Sequence, residues 1–329
     1  MSAKTAIVII GYGNVGRGVR HAIARNDDMS LTGIISRDVG RVEKEVAGVP
    51  VYARDDEKTW SKKLAADVAI LCGGSAVDLP EQGPCFARFF NTVDSFDTHH
   101  DIPSYFKTME AISRKSGTVS IISTGWDPGL FSLERVLADA FLPGATHYTF
   151  WGRGVSQGHS DAARHVKGVK DARQYTIPIR EAMERVRSGE NPSLTTREKH
   201  KRLVYITAEQ GADRARIEKE IKEMPNYYSD YDTEVVFITE EEMKKDHSAY
   251  PHAGFVLASG KTGGGNKAIT EYRCEWGSNP EATGSILVAH ARAAARLSRE
   301  KRSGAFTILD IPPSYLSPRG AEELRERFM

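Results

Sequence analysis

Thr5-Ala6-Ile7-Val8-Ile9-Ile10-Gly11-Tyr12-Gly13-Asn14-Val15-Gly16 is an apolar, β-branched run that meets a Gly-x-Gly-x-x-Gly turn, and a segment with helical apolar spacing follows from Val15 to Arg25. A buried parallel strand, a phosphate-approach turn and a helix start read off in that order. Gly11 permits the tight turn, Gly13 lets a pyrophosphate come close to the backbone, and Gly16 lets helix and strand pack together. The free N–H groups at the helix start favour an anion. Gly11, Tyr12, Gly13, Asn14, Val15 and Gly16 are therefore the first candidates for a dinucleotide site. The motif alone also fits a glycine-rich turn without a ligand; the strand before it and the helix after it favour the dinucleotide.

Working outward, residues 31–36, 67–72, 90–95 and 119–123 are further strand-like runs with helical stretches between them. Alternating strands and helices predict an α/β fold with a Rossmann-like, doubly wound parallel sheet, and ligands beyond the carboxyl ends of its strands. After about Asp127 the rhythm changes. Residues 147–151, 201–207, 233–238, 254–259 and 268–276 look like strands, and several alternate polar and apolar positions as antiparallel strands with one wet face do. A second, α+β domain is expected. Residues 180–201 are polar, contain Gly189 and Pro192, and read as a helix followed by a mobile loop. Residues 280–302 are alanine-rich and helical, and 305–309 is a last strand-like run. The expected division is a dinucleotide domain over 1–123, completed by roughly 280–329 packing back, and a substrate domain over 124–279.

Bulk properties narrow the function. A chain of 329 residues holds two domains with proper cores. A net charge of +1 gives no electrostatic footprint for nucleic acid or an anionic membrane. No apolar run approaches the roughly 20 residues of a membrane-spanning helix. The strand beginning at Thr5 leaves no room for a signal peptide. Cys72, Cys85 and Cys274 are scattered and read as free thiols in a reducing, cytoplasmic setting.

The second strand ends in Ser36-Arg37, where an NAD site would place an acidic residue. A hydroxyl and a guanidinium there suit a 2′-phosphate, so NADP is favoured over NAD; Asp38 would oppose the phosphate if it pointed inward. Cys72, Gly73, Gly74 and Ser75 follow the next strand, and small residues there allow close approach to the cofactor. Cys72 reads as a buried filler rather than a nucleophile. Val93-Asp94-Ser95-Phe96-Asp97 and Ser123-Thr124-Gly125-Trp126-Asp127-Pro128-Gly129 each place a carboxylate just past a parallel strand. Two carboxylates converging there can hold an ammonium group beside a nicotinamide, with helix N-capping as the competing use, above all for Asp127. Residues 151–161 are glycine-rich and polar, as a segment ordered by a ligand or by close packing is. His159 and Asp161 lack metal-ligand spacing, and no metal site is expected. His99 and His100 read as surface residues. Lys261-Thr262-Gly263-Gly264-Gly265-Asn266 is not a phosphate loop, because its Lys-Thr precedes the glycines; it reads as a turn between strands.

Taken together, GYGNVGR (11–17), DMSLTGIISR (28–37), VDSFDTHHDIP (93–103), STGWDPGLFS (123–132), FWGRGVSQGHSDA (150–162), KHKR (199–202), PHAG (251–254), TGG (262–264), NP (279–280) and GAFTILDIPPSYLSP (304–318) run nearly the full length of the chain. In them the chain resembles the meso-diaminopimelate D-dehydrogenase family. Asp38 stands where some members carry a second Arg, and Gly73 where a Met is usual. The resemblance implies NADP-dependent, reversible oxidative deamination of the D-centre of meso-2,6-diaminopimelate to L-2-amino-6-oxopimelate and ammonia. It further implies that Asp97 and Asp127 hold the D-centre amino group and that Trp126, Trp151, Gln157 and Gly158 line the pocket. Thr176, Arg202, His252 and Asn279 then recognise the distal L-amino-acid end, with His252 able to donate to the same carboxylate as Arg202. Ser95, Phe96, Thr124, Gly125, Trp126, Asp127 and Pro128 join the cofactor contacts. A homodimer and closure between domains are also implied. The rivals are a dehydrogenase for another D-amino acid and a non-catalytic NADP-binding sensor.

Overall fold

The structure, a computed structural model, describes residues 4–329. The chain divides into two compact units: the segment up to Leu133 together with Pro280–Met329, and Glu134–Asn279.

In the first unit, β1 (Thr5–Ile10), β2 (Met29–Ser36), β3 (Val51–Ala53), β4 (Val68–Leu71), β5 (Asn91–Asp94) and β6 (Val119–Ile121) form one sheet with the late strand Gly304–Phe306. The order is Gly304–Phe306, β6, β5, β4, β1, β2, β3, and every pairing is parallel. The chain winds one way from β1 to β3 and the other way from β4 outward, so the order reverses between β1 and β4. Ligands of such sheets bind beyond the carboxyl ends of the strands at that reversal. The uninterrupted apolar run of β1 follows from burial on both faces. Ile7 and Ile9 pack with Val19, Ile23, Leu287 and Ala291, while Val8 and Ile10 pack with Trp60, Phe86, Tyr105 and Met109. The helix Asn14–Ala24 buries Val19, Ala22 and Ile23 as its apolar spacing requires.

The second unit holds β7 (Thr146–Trp151), β8 (Gly154–Ser156), β9 (Val169–Pro178), β10 (His200–Ala208), β11 (Asp232–Phe237), β12 (His252–Lys261) and β13 (Lys267–Trp276). They form a four-stranded sheet, β11-β10-β9-β8, and a three-stranded sheet, β13-β12-β7. The turn over 261–266 joins β12 to β13, as its sequence suggests.

Four details differ from the sequence reading. β3, β8 and β9 were not visible as strands. β3 and β8 are three residues each, too short to show alternation, and β9 buries Gln174 and Thr176 among its apolar positions. β11 pairs with β10 in parallel rather than antiparallel, because the helix Arg214–Lys222 carries the chain back across the sheet. Residues 180–201 contain a second, short helix, Thr196–Lys199, started by a reciprocal cap between Thr195 and Glu198. The last strand ends at Phe306; Thr307 then caps a single 3₁₀ turn, Ile308–Asp310, through Leu309 N–H (3.3 Å). Among the described residues no helix is long and apolar enough to cross a membrane, and no disulfide joins any of the three cysteines.

Candidate active site

At the carboxyl ends of β1, β2 and β4 lies a cavity of about 470 Å³. Its walls include Gly11, Tyr12, Gly13, Ser36, Arg37, Asp38, Cys72, Gly73 and Gly74, all read from the sequence, together with Arg41, Arg54, Asp78 and Gln82, which were not. Gly11 sits at φ +89°, where a side chain is strained, and a Cβ on Gly16 would lie 2.3 Å from the Gly11 carbonyl oxygen. Apart from Gly13 itself and its two chain neighbours, nothing lies within 4 Å of the Cβ position of Gly13, which leaves room for a phosphate. Asn14 and Val15 open the helix behind it.

Three guanidiniums, Arg37, Arg41 and Arg54, and two carboxylates, Asp38 and Asp78, line this cavity; Arg41 also pairs with Glu45 at 2.8 Å and Arg54 with Glu81 at 3.4 Å. Asp38 is the N-cap of the helix Val39–Glu45: its Oδ1 accepts Arg41 N–H at 3.0 Å and its Oδ2 lies 3.6 Å from Arg41 Nε. Its charge is thus tied to the helix start and to a guanidinium. Asp78 stands 3.5 Å from Arg37 and 3.9 Å from Arg54 and accepts Gly74 N–H at 2.9 Å. Arg54 lies just past β3, so missing that short strand hid it. Burial raises the Cys72 thiol far above its ordinary range, in keeping with a filler role.

The two candidate carboxylates lie past β5 and β6. Asp97 is exposed, and its N–H donates to Ser75 Oγ at 2.8 Å, which in turn lies 3.2 Å from the Thr98 hydroxyl. Asp127 is half-buried. The following helix, Leu130–Phe141, is preceded by Gly129, whose carbonyl accepts Leu133 N–H at 3.0 Å. Asp127 stands two residues ahead of Gly129. Trp126 packs edge-on against Phe131. Ser123 is held at φ +55°, a conformation costing a non-glycine residue on the order of 1 kcal/mol. Its N–H bonds to the buried Asp94 carboxylate, and a charge-assisted bond of this kind contributes about 1.5–3 kcal/mol, enough to keep it there. Phe96 is buried and stacks on Tyr105, Thr124 is fully buried, and Ser95 is half-buried.

In the second unit the register of β8, β9 and β10 aligns Gly154, Thr176 and Arg202 across three strands. Arg202 is 6% exposed. One of its terminal nitrogens donates to Thr176 Oγ1, another lies 3.3 Å from His159 Nε2, its plane covers the Tyr231 ring at 3.8 Å, and its Nε has no partner. Among the described residues no carboxylate pairs with it, and burial pulls its pKa down. A buried guanidinium without a counter-charge is costly, and an incoming anion relieves that cost. Thr176 Oγ1 also receives Gln174 Nε2 at 3.4 Å. With both lone pairs taken, its hydrogen is free to donate to an acceptor. His252 is 7% exposed and lies against Gly154, where a Cβ would come within 2.5 Å of its ring.

His252 Nδ1 meets the Ala253 carbonyl at 2.9 Å, and a carbonyl only accepts, so Nδ1 carries the hydrogen. Burial, with the nearby Arg202, depresses its pKa. Trp151 stacks on His200, which accepts the Trp151 N–H at 2.8 Å and is pushed down to about 3 by burial. Gln157 and Gly158 are exposed at the start of the helix Gln157–Arg164, one residue before His159. Asn279 opens the helix Asn279–Arg299, and its N–H donates to the Tyr250 carbonyl at 2.8 Å. The structure thus brings Thr176, Arg202 and His252 together and adds His159, weighed from the sequence only as a metal ligand, and Gln174, which sequence reasoning missed. His159 Nδ1 lies 2.8 Å from Ser156 Oγ, and Asp161 pairs with Arg164 at 3.0 Å. Among the described residues no group of three or more His, Cys, Asp or Glu side chains is placed to hold a metal ion.

Residues 125–278 match the family model described as diaminopimelic acid dehydrogenase C-terminal domain. The chain is 55% identical over 327 residues to the meso-diaminopimelate D-dehydrogenase of Ureibacillus thermosphaericus, covering 99% of this chain and all of that one. It matches a solved six-fold variant of the Clostridium tetani E88 meso-diaminopimelate dehydrogenase with diaminopimelate, at TM-score 0.92 and 50% identity over 99% of this chain and 100% of that one. An engineered D-amino acid dehydrogenase bound to NADP+ matches at TM-score 0.86 and 41% identity, over 99% of this chain and 100% of that chain.

Proposed function

The chain belongs to the meso-diaminopimelate D-dehydrogenase family, and we propose from that premise how its own residues divide the work. It is an amino-acid dehydrogenase that reversibly and oxidatively deaminates the D-centre of meso-2,6-diaminopimelate, giving L-2-amino-6-oxopimelate and ammonia, in diaminopimelate and lysine biosynthesis. The observation that carries the residue assignment is the buried, carboxylate-free Arg202 with Thr176 beside it. Arg202 binds the distal carboxylate in a two-pronged contact, and the free Thr176 hydrogen adds a third bond. His252 and Asn279 complete the recognition of the distal amino-acid end. Gln157, Gly158, Trp126 and Trp151 line the pocket. The Clostridium variant supports this set: its replaced Gln, Thr, Arg, Pro, His and Asn follow one another at the spacing of Gln157, Thr176, Arg202, Pro251, His252 and Asn279.

Asp97 and Asp127 orient the D-centre ammonium, and one of them accepts its proton, so that the nitrogen lone pair assists as the hydride leaves. Water then hydrolyses the imine. Residues 11–16, 36–38, 72–75, 95–97 and 124–128 would hold NADP, which would supply the hydride acceptor. Arg37, with Arg41 and Arg54, marks the 2′-phosphate end; the NADP+-bound relative and the three guanidiniums lining the cavity support this choice over NAD. A cytoplasmic homodimer completes the proposal.

The cofactor assignment makes a direct prediction. Under identical conditions kcat/KM for NADP exceeds that for NAD at least tenfold. Arg37→Ala lowers the NADP value about 10- to 100-fold, the size of one charge-assisted contact, while the NAD value moves less than threefold. Preference for NAD, or equal losses with both cofactors, would sink the assignment.

A further inference from the structure

The loops beyond β5 and β6 share a third carboxylate, Asp94, the last residue of β5. It is 1% exposed. Oδ1 accepts Phe96 N–H at 3.0 Å and Ser123 N–H at 3.1 Å. Oδ2 accepts the Tyr105 hydroxyl at 2.8 Å, and Tyr105 comes from the helix Ile102–Ser116. The Asp94 carbonyl oxygen accepts the Thr124 N–H at 2.9 Å and the Thr124 hydroxyl at 3.0 Å. Phe96 immediately precedes Asp97, and Ser123-Thr124 lead directly to the turn that carries Asp127. One residue thus fastens the backbone of both loops to a single point and anchors that point to a packed helix.

We propose that Asp94 is a positioning residue for the deamination, fixing the separation of Asp97 and Asp127. The inference rests on the reading that those two carboxylates hold the reacting ammonium. Asp94 does not meet substrate itself, because both its oxygens are engaged by donors and it is closed to solvent. Acid–base groups lose effectiveness when displaced by fractions of an ångström, so a point fixing two of them acts strongly on rate. Burial raises its pKa to about 6, which leaves it ionised, and a full acceptor, at neutral pH and above.

The test compares Asp94→Ala, Asp94→Asn and Tyr105→Phe for kcat and KM with meso-diaminopimelate, for NADPH affinity by fluorescence, and for melting temperature. An amide oxygen still accepts both N–H groups, and its NH₂ can donate to the Tyr105 oxygen. Asp94→Ala is expected to lower kcat at least 30-fold with NADPH affinity within about fivefold, and Asp94→Asn to restore kcat to within threefold of the unaltered enzyme. If Asp94→Ala does not fold, Tyr105→Phe decides: it keeps the carboxylate and both N–H bonds, and kcat falls three- to tenfold with NADPH affinity unchanged. An Asp94→Ala kcat within threefold of normal overturns the proposal; so do a loss that Asn does not restore and an unaltered kcat in Tyr105→Phe. Adding Asp94→Ala to Asp127→Asn separates the two claims. If Asp94 acts through Asp127, the combined loss is smaller than the product of the single losses. A near-normal Asp127→Asn enzyme would instead defeat the reading of Asp127 while leaving the Asp94 effects measurable.

Discussion

Asp127→Asn is expected to lower kcat for meso-diaminopimelate by two to three orders of magnitude, with NADPH affinity and melting temperature close to those of the unaltered enzyme. The substitution keeps the shape of the side chain and removes its charge and its ability to take a proton. Positioned acid–base groups contribute typically 10²- to 10⁴-fold, and an ammonium that is neither oriented nor deprotonated leaves the hydride without its push. The Asp94 bonds that fasten the loop at Ser123 and Thr124 are untouched by the substitution. Steady-state rates beside NADPH titrations by fluorescence check this. A kcat within threefold of normal in a folded variant would return Asp127 to a structural part in its turn.

Arg202→Met is expected to divide substrates. For meso-diaminopimelate, kcat/KM falls roughly 30- to 1,000-fold, the usual range when one partner of a buried charge contact is removed. Simple D-amino acids, which present no distal carboxylate, keep kcat/KM within threefold. Stability should not fall, because the guanidinium is buried with an unpartnered Nε and no carboxylate, and Met fills similar space without that cost. Assays across both substrate classes with melting curves on the same samples test it. An unchanged ratio between the two classes would refute the distal-carboxylate role.

The amino-acid sequence carried some parts of this architecture plainly and others not at all. β1 and its glycine turn were legible because burial on both faces forces an uninterrupted apolar run and the turn demands glycine at fixed spacing. β3 was silent, being a three-residue edge strand, and with it went the guanidinium of Arg54. β9 was hidden for the opposite reason: it buries Gln174 and Thr176, which break the polar–apolar alternation, and those buried polar groups are part of the candidate site. Within Val93–Asp97 the spacing could not say which carboxylate enters the core; the structure puts Asp94 inside and Asp97 at the surface. Thr176, Arg202, His252 and Asn279 were reached through family resemblance alone, since nothing local in the sequence brings residues from β9, β10 and β12 together.

The most direct test of the central claim is NADPH formation from purified protein with NADP and each diaminopimelate stereoisomer. Turnover is expected with the meso form. The LL form, which has no D-centre, should give less than about one-hundredth of that rate, and the DD form, whose distal end has the wrong hand for Arg202, Thr176 and His252, should be at least tenfold slower. Comparable rates with the LL and meso forms, or no NADPH from the meso form, would contradict the account.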